Sequence, residues 1–204
     1  MGCIQAFDVE QIVSKCNIKA FVETGTLHGA GVEYAQQYPF EEIHSIEIVS
    51  PLAETAKQKF VSDRRVKIHQ GHSADVLQTI LPDIEYNILF WLDAHFPGAD
   101  SKHNTVGGED IYERRVPLQE EIKHISQRIK EYGDVLVIDD LWLYEDGPFE
   151  TGLFNDWMKI HHNGETREEL CGSDASFIWD SFQDTHDIKK FYKQQGYIVC
   201  TPKS

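Results

Sequence analysis

Five carboxylates in this chain, Glu23, Glu47, Asp93, Asp139 and Asp140, each follow a short apolar run, and that placement is where its chemistry begins. The first of them closes Ala20-Phe-Val-Glu and leads into Thr-Gly-Thr-Leu-His-Gly-Ala-Gly31, a glycine turn ahead of a helix-compatible segment. Glycines at 25 and 29 suit a loop crossing a strand tip, where the backbone needs positive φ or close approach to a ligand. A dinucleotide loop needs G-x-G-x-x-G, and Gly25-Thr-Leu-His-Gly29 lacks the middle glycine. Glu23 would also face phosphate oxygens, and like charges at about 4 to 6 Å cost on the order of 3 to 4 kcal/mol at an effective dielectric near 20. A ligand with a cationic centre and no phosphate reverses that sign. Taken alone, the loop reads equally well as a plain strand-to-helix turn.

The elements that must position these acids alternate. Asp8 to Cys16 carries apolar residues at Val9, Ile12 and Val13 and reads as a leading amphipathic helix. Strand candidates follow at Ala20–Glu23, Ile43–Ile48, Val66–Gly71 and Asn87–Asp93. Helices are expected at 32–38, 52–60 and 73–80, the second opened by Ser50-Pro51. Residues 96–115 form a Gly-, Asp- and His-rich stretch without period, expected to be a lid over a site. A helix is expected over 116–131, then a strand through Asp134-Val-Leu-Val-Ile-Asp-Asp140. Weaker signals suggest a helix over 149–160, a strand over Ser176–Trp179, a helix over 187–195 and a last strand, Tyr197–Cys200. The pattern predicts a single domain, 1–204, with a doubly wound Rossmann-like α/β sandwich around a mostly parallel seven-stranded sheet. In such sheets ligands bind beyond the carboxyl ends of the strands, where all five acids lie.

Composition narrows the partners. With 34 acidic and 19 basic residues, the formal charge of −15 repels nucleic-acid backbones and anionic membranes. The four cysteines are scattered without a C-x-x-C pair, so ordinary reduced thiols are expected. No apolar run approaches 18 residues, and the N-terminus has no signal-peptide pattern, so the expected setting is cytoplasmic. Aromatic residues make up 11% of the chain, which permits a homo-oligomer interface without locating one.

Glu23-x-Gly25-x-x-x-Gly29 resembles the first motif of class I S-adenosyl-L-methionine (SAM)-dependent methyltransferases. The resemblance implies a SAM site made by Glu23, Gly25, Thr26 and Gly29, with Asp93 at its edge. It makes Glu47 the acid that receives the ribose hydroxyls and places His72 and Ser73 by the adenine, although His72 departs from the acid usual there. Trp91-Leu-Asp-Ala-His95 and Val137-Ile-Asp-Asp140 are similar to the sugar O-methyltransferases of the macrocin and novobiocin types. That likeness implies that Asp93, Asp139 and Asp140 hold a divalent metal, Mg²⁺ or similar. The chemistry agrees: a sugar hydroxyl is a very weak acid, and a hard dication lowers its pKa while relieving carboxylate repulsion. His95 is the expected general base, with Asp93 as its competitor. Arg114 and Arg115 fit either a phosphate on an activated sugar or pairing with Glu120 or Glu121. The leading expectation is thus metal-assisted methylation of a small-molecule hydroxyl on a sugar or nucleotide-linked sugar. Metal-independent N- or O-methylation, a non-catalytic partner subunit and a metal-dependent hydrolase stand against it.

Overall fold

The computed structural model describes residues 3–95, 114–150, 166–172 and 174–203. Seven strands form one sheet: β1 (Ile18–Thr24), β2 (Glu42–Glu47), β3 (Val66–Gln70), β4 (Asn87–Leu92), β5 (Val135–Ile138), β6 (His186–Phe191) and β7 (Tyr197–Pro202). Their order is β3-β2-β1-β4-β5-β7-β6. Strands β1 to β5 pair in parallel, whereas β7 is antiparallel to both its neighbours. The helices are α1 (Val9–Cys16), α2 (Ala30–Ala35), α3 (Ser50–Lys59), α4 (Ser73–Ile80), α5 (Leu118–Ile125), α6 (Arg167–Cys171) and α7 (Ser176–Phe182).

The continuous apolar runs of the central strands serve two cores at once, as strands covered on both faces must. On β1, Ala20 and Val22 join Leu77 of α4, Ile122 of α5 and Phe182 of α7, while Phe21 joins Val9 of α1, Val32 of α2 and Ala56 of α3. Strands β4 and β5 divide in the same way, with Phe90, Leu92 and Ile138 on one face and Leu89, Trp91 and Val137 on the other. Every acid that follows a central strand is therefore carried to the same edge of the sheet.

Two expectations near the C-terminus are corrected. Ser176–Trp179 opens a helix, because Ile178 and Phe182, four residues apart, share one fully buried face. The stretch expected to be helical from 187 holds an edge strand instead, His186–Phe191, hydrogen-bonded along β7. His186 is buried and Ile188 half-buried, with Asp187 and Lys189 pointing outward. Lysines on an outer strand discourage further pairing, so their presence masks the strand signal. The helix expected over 116–131 is regular only from Leu118 to Ile125 and continues as turns. The lid expected over 96–115 and the helix over 149–160 fall mostly outside the described residues.

The edge of the sheet opposite the acids is held by a buried ion pair that sequence pattern does not reveal. Arg128 Nε donates to Asp134 Oδ2 at 2.8 Å, and its other nitrogens donate to the carbonyls of Leu81, Ile84 and Tyr86 at 2.8, 3.0 and 2.7 Å. Asp134 Oδ1 accepts from the Ile88 amide at 2.8 Å, which ties the starts of β4 and β5 together. Removing one partner of such a pair strands the other in a low dielectric. Arg128→Met is expected to cost about 3–5 kcal/mol in urea denaturation, and adding Asp134→Asn should recover much of that loss.

Candidate functional site

The glycine loop is built on a buried hydrogen-bond chain. Thr26 Oγ1 and Ser45 Oγ are 2.6 Å apart, and Ser45 Oγ donates to Glu23 Oε2 at 2.5 Å. Glu23 is only 2% exposed. It lies beneath the loop, against the Ser45 hydroxyl. Burial is the main reason its pKa rises to about 8, with Ser45 acting in the opposite sense. Its other oxygen lies so near α2 that a Cβ added at Gly31 would be 1.7 Å from Oε1. Gly29 is the left-handed cap of α2, at φ 80°, and a Cβ there would meet the Phe60 ring at 2.6 Å. These two glycines make room for the acid and for the fold of the loop.

Glu47, at the end of β2, accepts from the Leu27 amide through Oε2 and from the Val49 amide through Oε1, both at 2.8 Å. Leu27 holds a left-handed backbone, φ 47°, which is uncommon outside glycine, asparagine and aspartate. The Glu47 bond to its amide supports that turn. Each carboxylate oxygen keeps a second lone pair for a ligand hydroxyl. Gly25, whose amide donates to the Ile46 carbonyl at 2.9 Å, passes close to the Asp93 carbonyl and so brings the loop to the tip of β4.

Beyond β3, His72 Nε2 donates to the Arg114 carbonyl at 3.1 Å, which leaves Nδ1 as an acceptor. That Nδ1 is buried without a hydrogen-bond partner among the described residues, and the Ser73 hydroxyl is buried near the Glu121 carboxyl. Arg114 contacts Asp75 at 2.9 and 2.7 Å and Glu120 at 3.1 and 2.6 Å. Pairing with Glu120 is the plainer of the two readings of this residue, and the second carboxylate leaves its guanidinium committed to protein.

At the tips of β4 and β5 the structure gathers Asp93, His95 and Asp140, with one ligand atom from each within 4.8 Å of the others. His95 Nε2 lies 2.8 Å from Asp140 Oδ2, and Nδ1 is 3.0 Å from the Asp93 carbonyl. Asp140 Oδ1 accepts from Trp142 Nε1 at 2.8 Å. Asp139 stands beside this group, not within it: Oδ1 accepts from the Asp140 amide at 2.8 Å, and Oδ2 is buried and unpartnered among the described residues. Burial alone would lower the His95 pKa, but the Asp140 and Asp93 carboxylates outweigh it and lift it to about 10. This pairing favours the imidazolium, not the neutral ring that a base requires. Burial first, and then the negative charge of Asp140, push Asp139 up to about 8. Burial also opposes ionisation of Asp140, yet the His95 charge and hydrogen bond hold it below the usual carboxylate range.

These groups line a cleft, with Leu92, Leu118 and Ile138 as apolar wall and Tyr144 at one side. Two contributors escape the sequence reading. Ser45 lies inside a strand and carries no motif. Glu121, 1% exposed, falls on the buried stripe of α5 between Leu118 and Ile125, where an acid among apolar positions is the available signal. Burial raises its pKa to about 7 against the pull of the Ser73 and Thr24 hydroxyls.

No protein-family model and no curated protein matches the sequence. Solved structures do match the fold. A provisionally assigned caffeoyl-CoA O-methyltransferase from Staphylococcus aureus superposes with a TM-score of 0.59 at 15% identity, covering 100% of this chain and 85% of that one. A provisionally assigned methyltransferase from Streptococcus mutans, in complex with SAH, gives 0.56 at 12% identity with both chains fully covered, 100% each. Spermidine synthase from Thermotoga maritima gives 0.52 at 14% identity, over 97% of this chain and 57% of its own. The chain therefore has the Rossmann-like fold of SAM-dependent methyltransferases. The presence of a synthase in this group means that the site, not the fold, must define the reaction.

Two outcomes follow from the loop. Gly31→Ala is expected to lower stability by about 1–3 kcal/mol, as overpacking does, with a smaller loss in a Glu23→Ala background, read by thermal melts. Because Glu23 titrates near 8 when folded and near 4.5 otherwise, it favours folding below pH 4.5 and loses that contribution as pH rises through 8. Denaturation curves between pH 5 and 9 should therefore decline less steeply in Glu23→Gln.

Proposed function

We propose that this chain is a SAM-dependent O-methyltransferase that methylates a sugar hydroxyl with the help of a divalent cation. The observation that carries the reading is the meeting of Asp93, His95 and Asp140 at the cleft, one strand tip away from the loop carried by Glu23 and Glu47. Glu23, Gly25, Thr26 and Gly29 would shape the SAM loop. Glu47 would receive the ribose hydroxyls on its remaining lone pairs, and the open acceptors of His72 and Ser73 suit the adenine. SAM supplies a methyl group on a cationic sulfur, displaced in line by the acceptor oxygen.

The donor set fits a cation. Two carboxylates and an imidazole within 4.8 Å, beside the unpartnered Asp139 Oδ2, offer hard oxygen ligands with one nitrogen. That composition suits Mn²⁺ as well as Mg²⁺. A cation bound there would relieve carboxylate crowding and lower the pKa of the acceptor hydroxyl. Asp140 holds a proton on His95 Nε2, so His95 accepts the hydroxyl proton there only after that contact opens and the first proton has left to solvent, and only while Nε2 does not ligate the cation. Asp93 is the competing acceptor for the hydroxyl proton. With Arg114 already paired to Asp75 and Glu120, a sugar without a diphosphate is the better fit to this acidic cleft.

A second reading, metal-independent transfer to a small-molecule hydroxyl or amine, draws on the His95–Asp140 ion pair, which is satisfied without a cation. Calorimetry with SAM tests cofactor binding, and its absence would favour a non-catalytic partner role. Transfer of labelled methyl to sugar acceptors should require Mg²⁺ or Mn²⁺, and Asp140→Asn should lower it by about 100-fold. Full activity in EDTA would sink the metal claim.

A further inference from the structure

At the β3 edge of the sheet lies a pair of histidines that neither the glycine loop nor the strand-tip group uses. His44 of β2 and His69 of β3 share one face, in the register that sets His44 beside Lys67 and Ile46 beside His69. His44 Nδ1 and His69 Nε2 are 3.1 Å apart, and the two ring planes lie within 8° of parallel. On its other side, His44 Nε2 is 2.8 Å from Glu42 Oε2, which also accepts from Lys67 Nζ at 2.7 Å. A carboxylate there keeps the His44 proton on Nε2 and leaves the Nδ1 lone pair directed at His69. Metal-ligating imidazoles are oriented by carboxylates in this same way. Burial is the first reason both rings titrate below the usual histidine range. His69 falls to about 4, with His44, Lys67 and Lys57 adding to the effect. Both rings are therefore neutral at pH 7, as ligands must be. His44 is 4% exposed, whereas His69 is half-buried and gives the pair a path to solvent.

We propose that His44 Nδ1 and His69 Nε2 form a binding site for Zn²⁺ or another imidazole-preferring divalent cation, oriented by Glu42 and completed by water, which staples β3 to β2. Two nitrogens on one tetrahedral zinc, each at about 2.0–2.1 Å, stand about 3.3 Å apart. From 3.1 Å the rings need only part slightly and pivot until their lone pairs converge. The ion replaces the hydrogen bond between the rings. His69 then keeps its proton on Nδ1, so both ligands stay neutral, and the Glu42 charge offsets that of Lys67. Mg²⁺ prefers oxygen ligands, so this site differs in chemistry from the carboxylate-rich group at the strand tips.

The test titrates zinc chloride into full-length protein in excess Mg²⁺, by calorimetry and by ¹⁵N spectra of the histidine rings. In wild type, two ring signals are expected to shift together at the same equivalent of zinc. His69→Gln should lose that site and His95→Gln should keep it. Glu42→Gln should weaken it about 10- to 100-fold, and His69→Cys, which restores a zinc ligand, should recover it. Thermal melts without zinc show that each variant is folded, and the wild-type ring signals decide the question even where one is not. An unchanged isotherm in His69→Gln, loss of the site in His95→Gln, or wild-type ring signals that do not move as a pair overturns the assignment.

Discussion

Crowding of carboxyl groups at one edge of the sheet is the constraint around which the rest of the structure is arranged. Glu23, Glu47, Asp93, Asp139, Asp140 and Glu121 converge there, and in a low dielectric such groups either take protons or find partners. Each meets the problem differently. Glu23 is given a hydroxyl and burial, Glu47 two backbone amides, and Asp140 an imidazolium and an indole. Asp139 and Glu121 each retain an oxygen unpartnered among the described residues, and both residues line the cleft. The distribution of partners thus sets Glu23 and Glu47, which hold the loop, apart from the acids that line the cleft.

The opposite edge shows the contrary solution. Arg128 and Asp134 are deeply buried, yet every charged atom is directed at a partner, and the three carbonyls that receive Arg128 belong to the segment between α4 and β4. Rigidity at the strand starts allows the strand ends to carry strain: Leu27 and Asp140 both hold left-handed backbones at the functional edge. This division is expected of a fold whose ligands sit beyond the carboxyl ends of its strands.

Much of this was legible before any coordinates. Long apolar runs such as Asn87–Leu92 and Val135–Ile138 have one stable environment, a strand covered on both faces, and the acid after each must then emerge at one edge. What pattern could not convey was direction. Glu23 and Glu47 occupy equivalent strand ends, but one points beneath its loop and the other braces it, a difference made by Ser45 and by the amides of Leu27 and Val49. His95 could be placed near the acids but not paired with Asp140, because the pairing depends on a turn that begins after β5. The exchange of helix and strand in the last third has a similar origin: His186–Phe191 is a lysine-bearing edge with little apolar alternation, so its state is set by β7 and not by its own residues.

The left-handed backbone at Asp140, φ 58° and ψ 44°, limits how this position can be substituted. Only glycine, asparagine and aspartate adopt that conformation at little cost, and of these only aspartate carries a charge. A glutamate, however similar its chemistry, would meet backbone strain before it met a ligand. The turn after β5 therefore acts as a filter on substitution, so that loss of the acid through asparagine or glycine is sterically easy and its replacement by another acid is not.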